Sequence, residues 1–367
     1  MSLRVALIGG PMYDHLDPLF EGFDVEVIVR ADHPTLNRTV ASMLTAGERI
    51  DVLSTHSKYA PSQVPWLTPL DGLVDTAPLA PLAVELCRHG GVQWCVPRLI
   101  DVRVMWQRTD RIPAVPDTWA DVIAGEAVFG FTGRESGLFG TFFELVVGAG
   151  GRLFDDVGAP TIESAEAVHA VDTLCRIASR APADLPTWHY DQVDAALLDG
   201  RIDAAAMWPG GWAGILRRGM AGRLTPHPYP AGSHRRVSYS GCHAWAIPRT
   251  CGDPAAATAL LQRLTGAEAG RLDAAGGNVC AHVGAFAAVE PRDEVDARRL
   301  AITASTIESA MITYPPHARF PELEDAGWAA IHAALLGERT PTDAVHEIQA
   351  VAERVLAPSG EPDEDTP

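Results

Sequence analysis

Apolar and polar positions along the first part of the chain predict strands that alternate with helices. Residues 3–9 form a short apolar run, residues 23–29 alternate as a strand does, and residues 50–54 are again apolar. Between the last two runs, apolar residues recur at helical spacing over 36–46. Strand–helix–strand alternation of this kind predicts a parallel sheet covered by helices.

Polar side chains follow directly after two of these predicted strands. Tyr13 and Asp14 come after the first strand, and His56 and Ser57 come after the third. Ligands on parallel sheets bind at the carboxyl ends of the strands. These four side chains are therefore candidates for a binding site.

The rest of the chain continues the alternation of strands and helices. Strands are predicted at 102–106, 129–132, 203–207 and 238–248, and helices at 118–123, 142–147, 164–179, 191–198, 254–264, 268–275, 322–336 and 341–356. Ser164 has the residue type and the position of a helix N-cap. The pattern predicts an α/β fold, and 367 residues are enough for two domains.

Charge and cysteine usage narrow the class of protein. The chain has 47 acidic and 29 basic residues and a formal charge of −18, which disfavours nucleic acid and anionic membranes as partners because both bind basic surfaces. The six cysteines include no Cys-x-x-Cys pair that would indicate a zinc or redox site. Cys87 and Cys95 are predicted to be buried thiols, with a loop disulfide as the alternative. Lys58 is the only lysine.

The two ends of the chain lead to separate predictions. The start, MSLRVALIGG, leads straight into the first strand without the long apolar stretch of a signal peptide. Either a secretion signal has been removed or the protein works inside the cell. Residues 358–367 are acidic and proline-rich, and we predict that they form a disordered tail.

Sequence motifs of several enzyme classes are missing. Gly9-Gly10 is not followed by a G-x-G-x-x-G fingerprint, Lys58 has no glycine-rich loop before it, and there is no G-x-S-x-G elbow. His346-Glu347 lacks the second histidine of a metalloprotease helix. A binding protein with no catalytic residue, cofactor or metal is favoured over an enzyme.

Eight segments resemble, in order, the maltose-binding-protein-like family of extracellular sugar-binding proteins. They are residues 46–52 (AGERIDV), 66–73 (WLTPLDGL), 96–110 (VPRLIDVRVMWQRTD), 116–122 (PDTWADV), 148–156 (GAGGRLFDD), 199–212 (DGRIDAAAMWPGGW), 240–248 (SGCHAWAIP) and 336–344 (LGERTPTDA). The resemblance implies a type II periplasmic-binding fold, in which two discontinuous α/β lobes surround a ligand cleft.

That fold implies a particular division of the chain. Residues 1–108 plus 247–302 would form the N-terminal lobe, and residues 109–246 plus 303–357 would form the C-terminal lobe. The chain would cross between the lobes near 108–113, 242–247 and 300–306.

The same resemblance implies a function and partners. The chain would be the substrate-binding protein of an ABC importer, a monomer that closes over a small carbohydrate by hinge motion and docks on permease subunits. It would be extracytoplasmic, as a lipoprotein if a signal was removed, and cytoplasmic if the sequence is native. The alternatives are a receptor for a polyamine, an anion or a metal, and an intracellular sensor or enzyme on the same scaffold.

Sugar sites combine aromatic rings for the C–H faces with polar groups for the hydroxyls. Trp212 matches the family's stacking tryptophan, and Trp208 precedes it by one loop turn. Asp101 matches an acidic hydroxyl acceptor, and Glu135 lies near an acidic contact of the family.

The strand predicted at the second crossing adds further candidates. Alternation places Tyr239, Gly241, His243 and Trp245 on one face. We expect close backbone approach at Gly241 and a polar contact from His243, with Trp245 equally suited to the core. Where the family has a last stacking aromatic, this chain has Gly327, beside Trp328, which suits a smaller or more polar ligand than a maltodextrin.

Overall fold

The computed structural model describes residues 2–112 and 115–356. The predicted acidic tail at 358–367 and part of the predicted first crossing therefore lie outside the described residues. Within them, the predicted alternation of strands and helices is present.

The strands are β1 (Leu3–Ile8), β2 (Val25–Ala31), β3 (Val52–His56), β4 (Arg88–His89), β5 (Val92–Gln93), β6 (Val96–Asp101), β7 (Val104–Arg108), β8 (Phe129–Gly130), β9 (Ala204–Met207), β10 (Leu224–His227), β11 (Ser238–Tyr239), β12 (Gly241–Ala246) and β13 (Met311–Ile312).

The helices are α1 (Pro11–Asp14), α2 (His33–Thr45), α3 (Ala60–Gln63), α4 (Pro81–Leu86), α5 (Trp119–Ala124), α6 (Glu135–Gly148), α7 (Ala165–Ala178), α8 (Tyr190–Leu198), α9 (Gly211–Arg217), α10 (Pro254–Thr265), α11 (Ala267–Ala275), α12 (Val283–Ala287), α13 (Glu294–Ser309), α14 (Phe320–Leu335) and α15 (Pro341–Leu356). Short 3-10 turns lie at Asp17–Phe20, Val64–Trp66 and Leu185–Thr187.

Local capping explains where several helices begin. The Ser164 side chain accepts a hydrogen bond from the Ala167 backbone N–H at the start of α7, as its residue type predicts. Thr118 and Asp121 form a reciprocal capping box at the start of α5. These side chains satisfy backbone N–H groups that have no partner inside the helix.

A five-stranded sheet forms the centre of the first lobe. Its strand order is β2-β1-β3-β12-β6. Strand β1 pairs in parallel with β2 and β3, whereas β12 runs antiparallel to both β3 and β6. The apolar side chains of these strands and of helices α2, α4 and α10 form one buried core.

A four-stranded sheet forms the centre of the second lobe. Its order is β10-β7-β9-β8, and its core is separate from that of the first lobe. Helices α6, α7, α14 and α15 pack together in this second core. Two sheets with two cores establish the predicted two-lobed α/β architecture.

The sheets place two crossings away from their predicted positions. The chain leaves the first sheet after Asp101 and joins the second at Val104, so β7 belongs to the second sheet and not to the predicted N-terminal segment 1–108. Strand β12 belongs to the first sheet, although the prediction assigned it to 109–246. The backbone stays extended as it passes from one sheet into the other. The hydropathy pattern therefore does not predict which strand each residue pairs with.

The third crossing also differs from the prediction. Helix α13 runs without a break through the predicted boundary between 302 and 303, and it packs against β10 and β7 of the second lobe. Strand β13 then pairs in parallel with β11, beside the second crossing. The division of the remaining segments between the lobes stays a prediction.

Two further properties concern the described residues as a whole. The six cysteines are free thiols, and Cys87 and Cys95 are both buried. In the described part of the chain, no helix has both the length and the hydropathy that crossing a bilayer requires.

Candidate ligand-binding site

Three neighbouring strands of the first lobe bring polar side chains together where the lobes meet. His56 ends β3 and lies opposite His243 on β12, while Asp101 ends β6. The Asp101 Oδ2 atom is 3.0 Å from His243 Nε2 and 3.8 Å from His56 Nε2. The ring of His33, the first residue of α2, lies 4.6 Å from the ring of His243. We call His33, His56, Asp101 and His243 the polar wall.

Burial controls the charge of the polar wall. It lowers the pKa of His56 to about 4, although the Asp101 carboxylate opposes this shift. Burial also lowers the pKa of His33 well below its ordinary value. Burial alone would raise the pKa of Asp101, but His243 and His56 outweigh that effect and hold this pKa well below its ordinary range. At neutral pH, Asp101 is therefore a buried carboxylate, and the rings of His33 and His56 are neutral.

The predicted residues after β1 separate into two environments. Tyr13 is buried, and its hydroxyl lies 2.9 Å from His243 Nδ1, so it holds one edge of the polar wall. Asp14 is exposed on the surface and forms an ion pair with Arg30 at 2.9 Å. The structure thus brings Tyr13 into the site and leaves Asp14 outside it.

Ser57 and Gly241 have structural partners beside the polar wall. The Ser57 hydroxyl accepts a hydrogen bond from the Cys242 backbone N–H at 3.0 Å, which ties the loop after β3 to β12. A Cβ atom on Gly241 would lie 2.0 Å from His56 Cε1, so only glycine leaves room for that ring. The group that lies closest to Gly241 is the His56 side chain, and a close approach of a ligand to this glycine stays a prediction.

The second lobe contributes a group of packed aromatic rings near the polar wall, since the charge of Lys58 acts on residues of both groups. The ring of Tyr239 lies 4.4 Å from that of Tyr314 and 6.2 Å from that of Trp208. Tyr190 packs edge-on against Trp208 at 5.8 Å. We call Tyr190, Trp208, Tyr239 and Tyr314 the aromatic wall.

A buried ion pair at the crossings supports the aromatic wall. Arg103, directly before β7, donates to Glu144 on α6, with Nε 3.2 Å from Oε1. Glu144 also accepts from the Tyr239 backbone N–H at 2.6 Å. The Arg103 guanidinium lies 5.6 Å from the Trp208 ring. Two crossing segments and one ring are therefore held by the same pair of charges.

Behind the aromatic wall lies a small cavity of about 10 Å³, room for roughly one water molecule. Arg103, Thr132, Asp194 and Trp208 are among its lining residues. Burial raises the pKa of Asp194 to about 8, so this carboxyl group is largely protonated at neutral pH. It can then donate a hydrogen bond as well as accept one.

Trp212 lies in the core and not beside the polar wall. It is 3% exposed, its ring stacks on Trp106 at 5.6 Å, and the Arg299 guanidinium covers it at 5.3 Å. Trp208 is half-buried, and a ligand contact from its ring stays a prediction. Trp245, which suited either position, is fully buried in the first core.

Glu135 stands at the start of α6, in the second lobe. Its φ of +56° lies in the left-handed region, where a residue other than glycine is strained. Its carboxylate pairs with Arg134 at 2.5 Å and lies 3.5 Å from His189 Nε2. A ligand contact from this position stays a prediction.

Sequence reasoning did not identify His33, Lys58 or Glu324. His33 follows β2 closely, so applying the strand-end rule to that strand as well would have selected it. Lys58 stands two residues after β3 and is the only lysine, which is a signal in itself. Its Nζ atom lies 2.9 Å from both carboxylate oxygens of Glu324, on α14 of the second lobe. Glu324 has no comparable sequence signal.

His56, Asp101 and His243 could hold a metal ion, since one ligand atom from each lies within 4.8 Å of the others. The Lys58 backbone N–H, however, donates to His56 Nδ1 at 3.2 Å. The proton of neutral His56 then resides on Nε2, the atom that faces Asp101 and that a metal would need. This hydrogen bonding favours recognition of a polar solute over coordination of a metal.

Two α/β lobes joined by extended crossings, with polar and aromatic walls between them, define a two-lobed periplasmic-binding fold. The family model of the bacterial extracellular solute-binding proteins matches residues 31–271, and the chain belongs to that family. No curated protein matches the chain in sequence.

Solved structures share this fold over nearly the whole chain. Maltose-bound MalE3 of T. maritima is 22% identical and has a TM-score of 0.88, with 97% of this chain and 100% of that chain covered. The GacH receptor of Streptomyces glaucescens is 17% identical, with a TM-score of 0.83 and coverage of 97% and 98%. A Thermotoga lettingae ABC transporter solute-binding protein, bound to α-D-tagatose, is 19% identical, with a TM-score of 0.83 and coverage of 97% and 100%. The predicted family and fold are confirmed.

Proposed function

We propose that this protein is the solute-binding receptor of an ABC importer and holds a short or modified saccharide between its lobes. The observation that carries the proposal is that polar groups of one lobe and aromatic rings of the other lie near the same buried lysine. The charge of Lys58 acts on His33 and His56 of the polar wall and on Tyr190 and Tyr239 of the aromatic wall. Rings can cover the C–H faces of a sugar while carboxylate and imidazole groups bind its hydroxyls. The structural neighbours support it further, since MalE3 is described with maltose and GacH with acarbose.

The second lobe favours a small ligand. A Cβ atom on Gly327 would lie 2.3 Å from Phe139 Cε2, so core packing prevents a stacking side chain at this position. The neighbouring Trp328 packs against His332 at 6.0 Å. The partly exposed rings of the aromatic wall, Tyr190 and Trp208, are then available to the ligand, with none from Gly327, which suits one or two sugar units.

The proposal includes a location and a partner. The matched family is described as extracellular, which supports a receptor that works outside the cytoplasm and delivers its ligand to permease subunits. We propose that the protein acts as a monomer and performs no chemistry on its ligand. Recovery of an unchanged sugar after incubation with purified protein tests the last point, whereas turnover would favour an enzyme on this scaffold.

The direct test is thermal unfolding with a panel of mono-, di- and trisaccharides and polyols, with polyamines, anions and divalent metals as the comparison. A ligand present at about 100 times its Kd stabilises the folded state by roughly 2.7 kcal/mol and raises Tm. We expect an increase in Tm with a neutral saccharide. An increase with only a charged solute or a metal would contradict the saccharide assignment and favour a receptor for another polar solute.

A further inference from the structure

Lys58 and Glu324 form a buried ion pair between the two lobes. Lys58 lies in the loop after β3 of the first lobe, and Glu324 lies on α14, which packs in the core of the second lobe. The Nζ atom is 2.9 Å from both carboxylate oxygens, and the two side chains are only 9% and 3% exposed. Because each charge has its partner in the other lobe, the pair depends on how the lobes are arranged.

The buried arginine–carboxylate pairs of the described residues differ in this respect. Their partners lie within one lobe or join a crossing to the neighbouring helix. They are Arg98–Asp273 in the first lobe, Asp296–Arg299 on α13, and Arg103–Glu144 between the first crossing and α6. A change in the angle between the lobes can leave these pairs intact, whereas it separates Lys58 from Glu324.

The charge of Lys58 is compensated inside the protein. Burial by itself lowers the pKa of Lys58, but the Glu324 carboxylate outweighs it and holds this pKa well above its ordinary value. The Lys58 ammonium also lies 4.8 Å from the ring of Tyr59, where the face of the ring attracts a cation. Lys58 and Glu324 therefore join the lobes directly, and no solute is needed to link the two side chains.

Loss of one partner should affect closed and open lobes differently. With the lobes closed, the remaining charge is buried and uncompensated, which costs far more than the intact pair contributes. With the lobes apart, the same loss costs little because water solvates the remaining charge. Replacing both partners by apolar side chains of similar size removes the penalty in the closed arrangement.

We infer that the Lys58–Glu324 pair is a latch that holds the lobes together and keeps the cleft closed from within the chain. A solute can reach the cleft only when the pair separates. The latch therefore sets the balance between open and closed lobes, in addition to any contacts that a solute makes. This inference concerns the movement of the lobes and goes beyond the proposed function, since it holds whatever solute the cleft accepts.

The test measures the radius of gyration by small-angle X-ray scattering. The protein is unfolded, dialysed and refolded to remove any solute, and native mass spectrometry establishes that none is bound. We expect a compact wild type. Glu324→Gln and Lys58→Met should each shift the ratio of open to closed lobes by about 100-fold or more toward open lobes, with a larger radius of gyration. The double variant Lys58→Met with Glu324→Leu should be compact again.

Glu322→Gln is the matched control. Glu322 lies on the same helix, but it is exposed and pairs with Arg319 at 2.7 Å, so its replacement should leave the radius of gyration unchanged. Circular dichroism establishes that each variant is folded. If a single variant does not fold, the exchange Lys58→Glu with Glu324→Lys still decides. It keeps both charges and should be compact, and a folded exchange with open lobes would overturn the inference.

The outcomes separate the latch from the proposed function. Single variants as compact as the wild type would overturn the latch, as would a wild type whose lobes are as open as those of the single variants. Neither result bears on which solute the cleft binds. Conversely, a protein that binds no saccharide but opens when either charge is removed would overturn the saccharide assignment and support the latch.

Discussion

The two walls of the cleft are held in place by different means. In the polar wall, backbone pairing sets the spacing, since His243 lies opposite His56 and strand β12 places Gly241 opposite Asp101. In the aromatic wall, the rings come from α8, from the segments after β9 and β13, and from β11. Ring packing and the Arg103–Glu144 pair hold them together.

This difference predicts different responses. The polar wall contains groups whose charge changes in mild acid, whereas burial raises the pKa of Tyr239 and Tyr314 well above the ordinary tyrosine value. Changes in pH and the loss of a charge in the polar wall should therefore alter the stability of the protein and its affinity for the ligand. At the aromatic wall, stability and affinity should depend instead on ring area and packing.

The largest effect is expected beneath the aromatic wall. Trp212→Ala removes a ring that stacks between Trp106 and Arg299, so it should lower the free energy of unfolding by about 3–5 kcal/mol. Urea unfolding at neutral pH measures this loss. The half-buried Trp208 is the matched position, and Trp208→Ala should lower the free energy of unfolding much less. Equal losses at both positions would contradict the assignment of Trp212 to the core.

The second largest effect is expected from acid, which should destabilise the protein through the polar wall. The folded pKa of His56 is about 4, below the ordinary value, so protons bind the unfolded chain first as the pH falls. The free energy of unfolding should drop by about 2–3 kcal/mol between roughly pH 6.5 and pH 4, and this contribution should level off below that range. His56→Gln should flatten the profile by this amount in urea unfolding. A profile with unchanged slope would show that His56 is not the titrating group.

The charge of the polar wall should matter for binding. Asp101→Asn replaces a buried carboxylate with a neutral amide and should raise the Kd for the ligand by about 10- to 100-fold, because hydrogen bonds to charged groups are the stronger ones. Calorimetric titration measures the change. Asp14→Asn is the control, since Asp14 is exposed and paired with Arg30. Equal affinity in both variants would remove Asp101 from the site.

The smallest of these effects is expected from the aromatic wall itself. Trp208→Ala should weaken ligand binding by roughly tenfold because a ring contact is lost. Trp208→Phe should keep part of that affinity. Neither substitution should alter the pH profile of stability, because neither touches the polar wall. A shift of that profile in Trp208→Ala would show that the walls are coupled.

Local signals predicted the elements better than the crossings. Ser164 begins its helix as its residue type indicates, since a cap depends only on residues a few positions away. The passage from β6 to β7 has no such signal, because both strands are apolar and extended and differ only in their pairing partners. For this reason, the local pattern around residue 108 does not show that β7 pairs in the second sheet.

The candidate site was predicted in part. His56, Asp101, Tyr13 and His243 were selected from strand ends and from the resemblance, and they lie together in the structure. Trp208 and Trp212 are four positions apart, and α9 begins between them, so which ring enters the core depends on how that helix packs. Whether these residues bind a ligand stays a prediction.

The sequence alone determined the α/β class, the two-lobed family and the positions of most helices and strands, because these depend on periodicity, capping and ordered motifs. Only the tertiary structure decided which strands share a sheet, which tryptophan is buried and which charges meet. Lys58 and Glu324 show the reason most clearly, because they are 266 positions apart and come from different lobes. Contacts at that separation depend on how the lobes pack, and no local pattern encodes them.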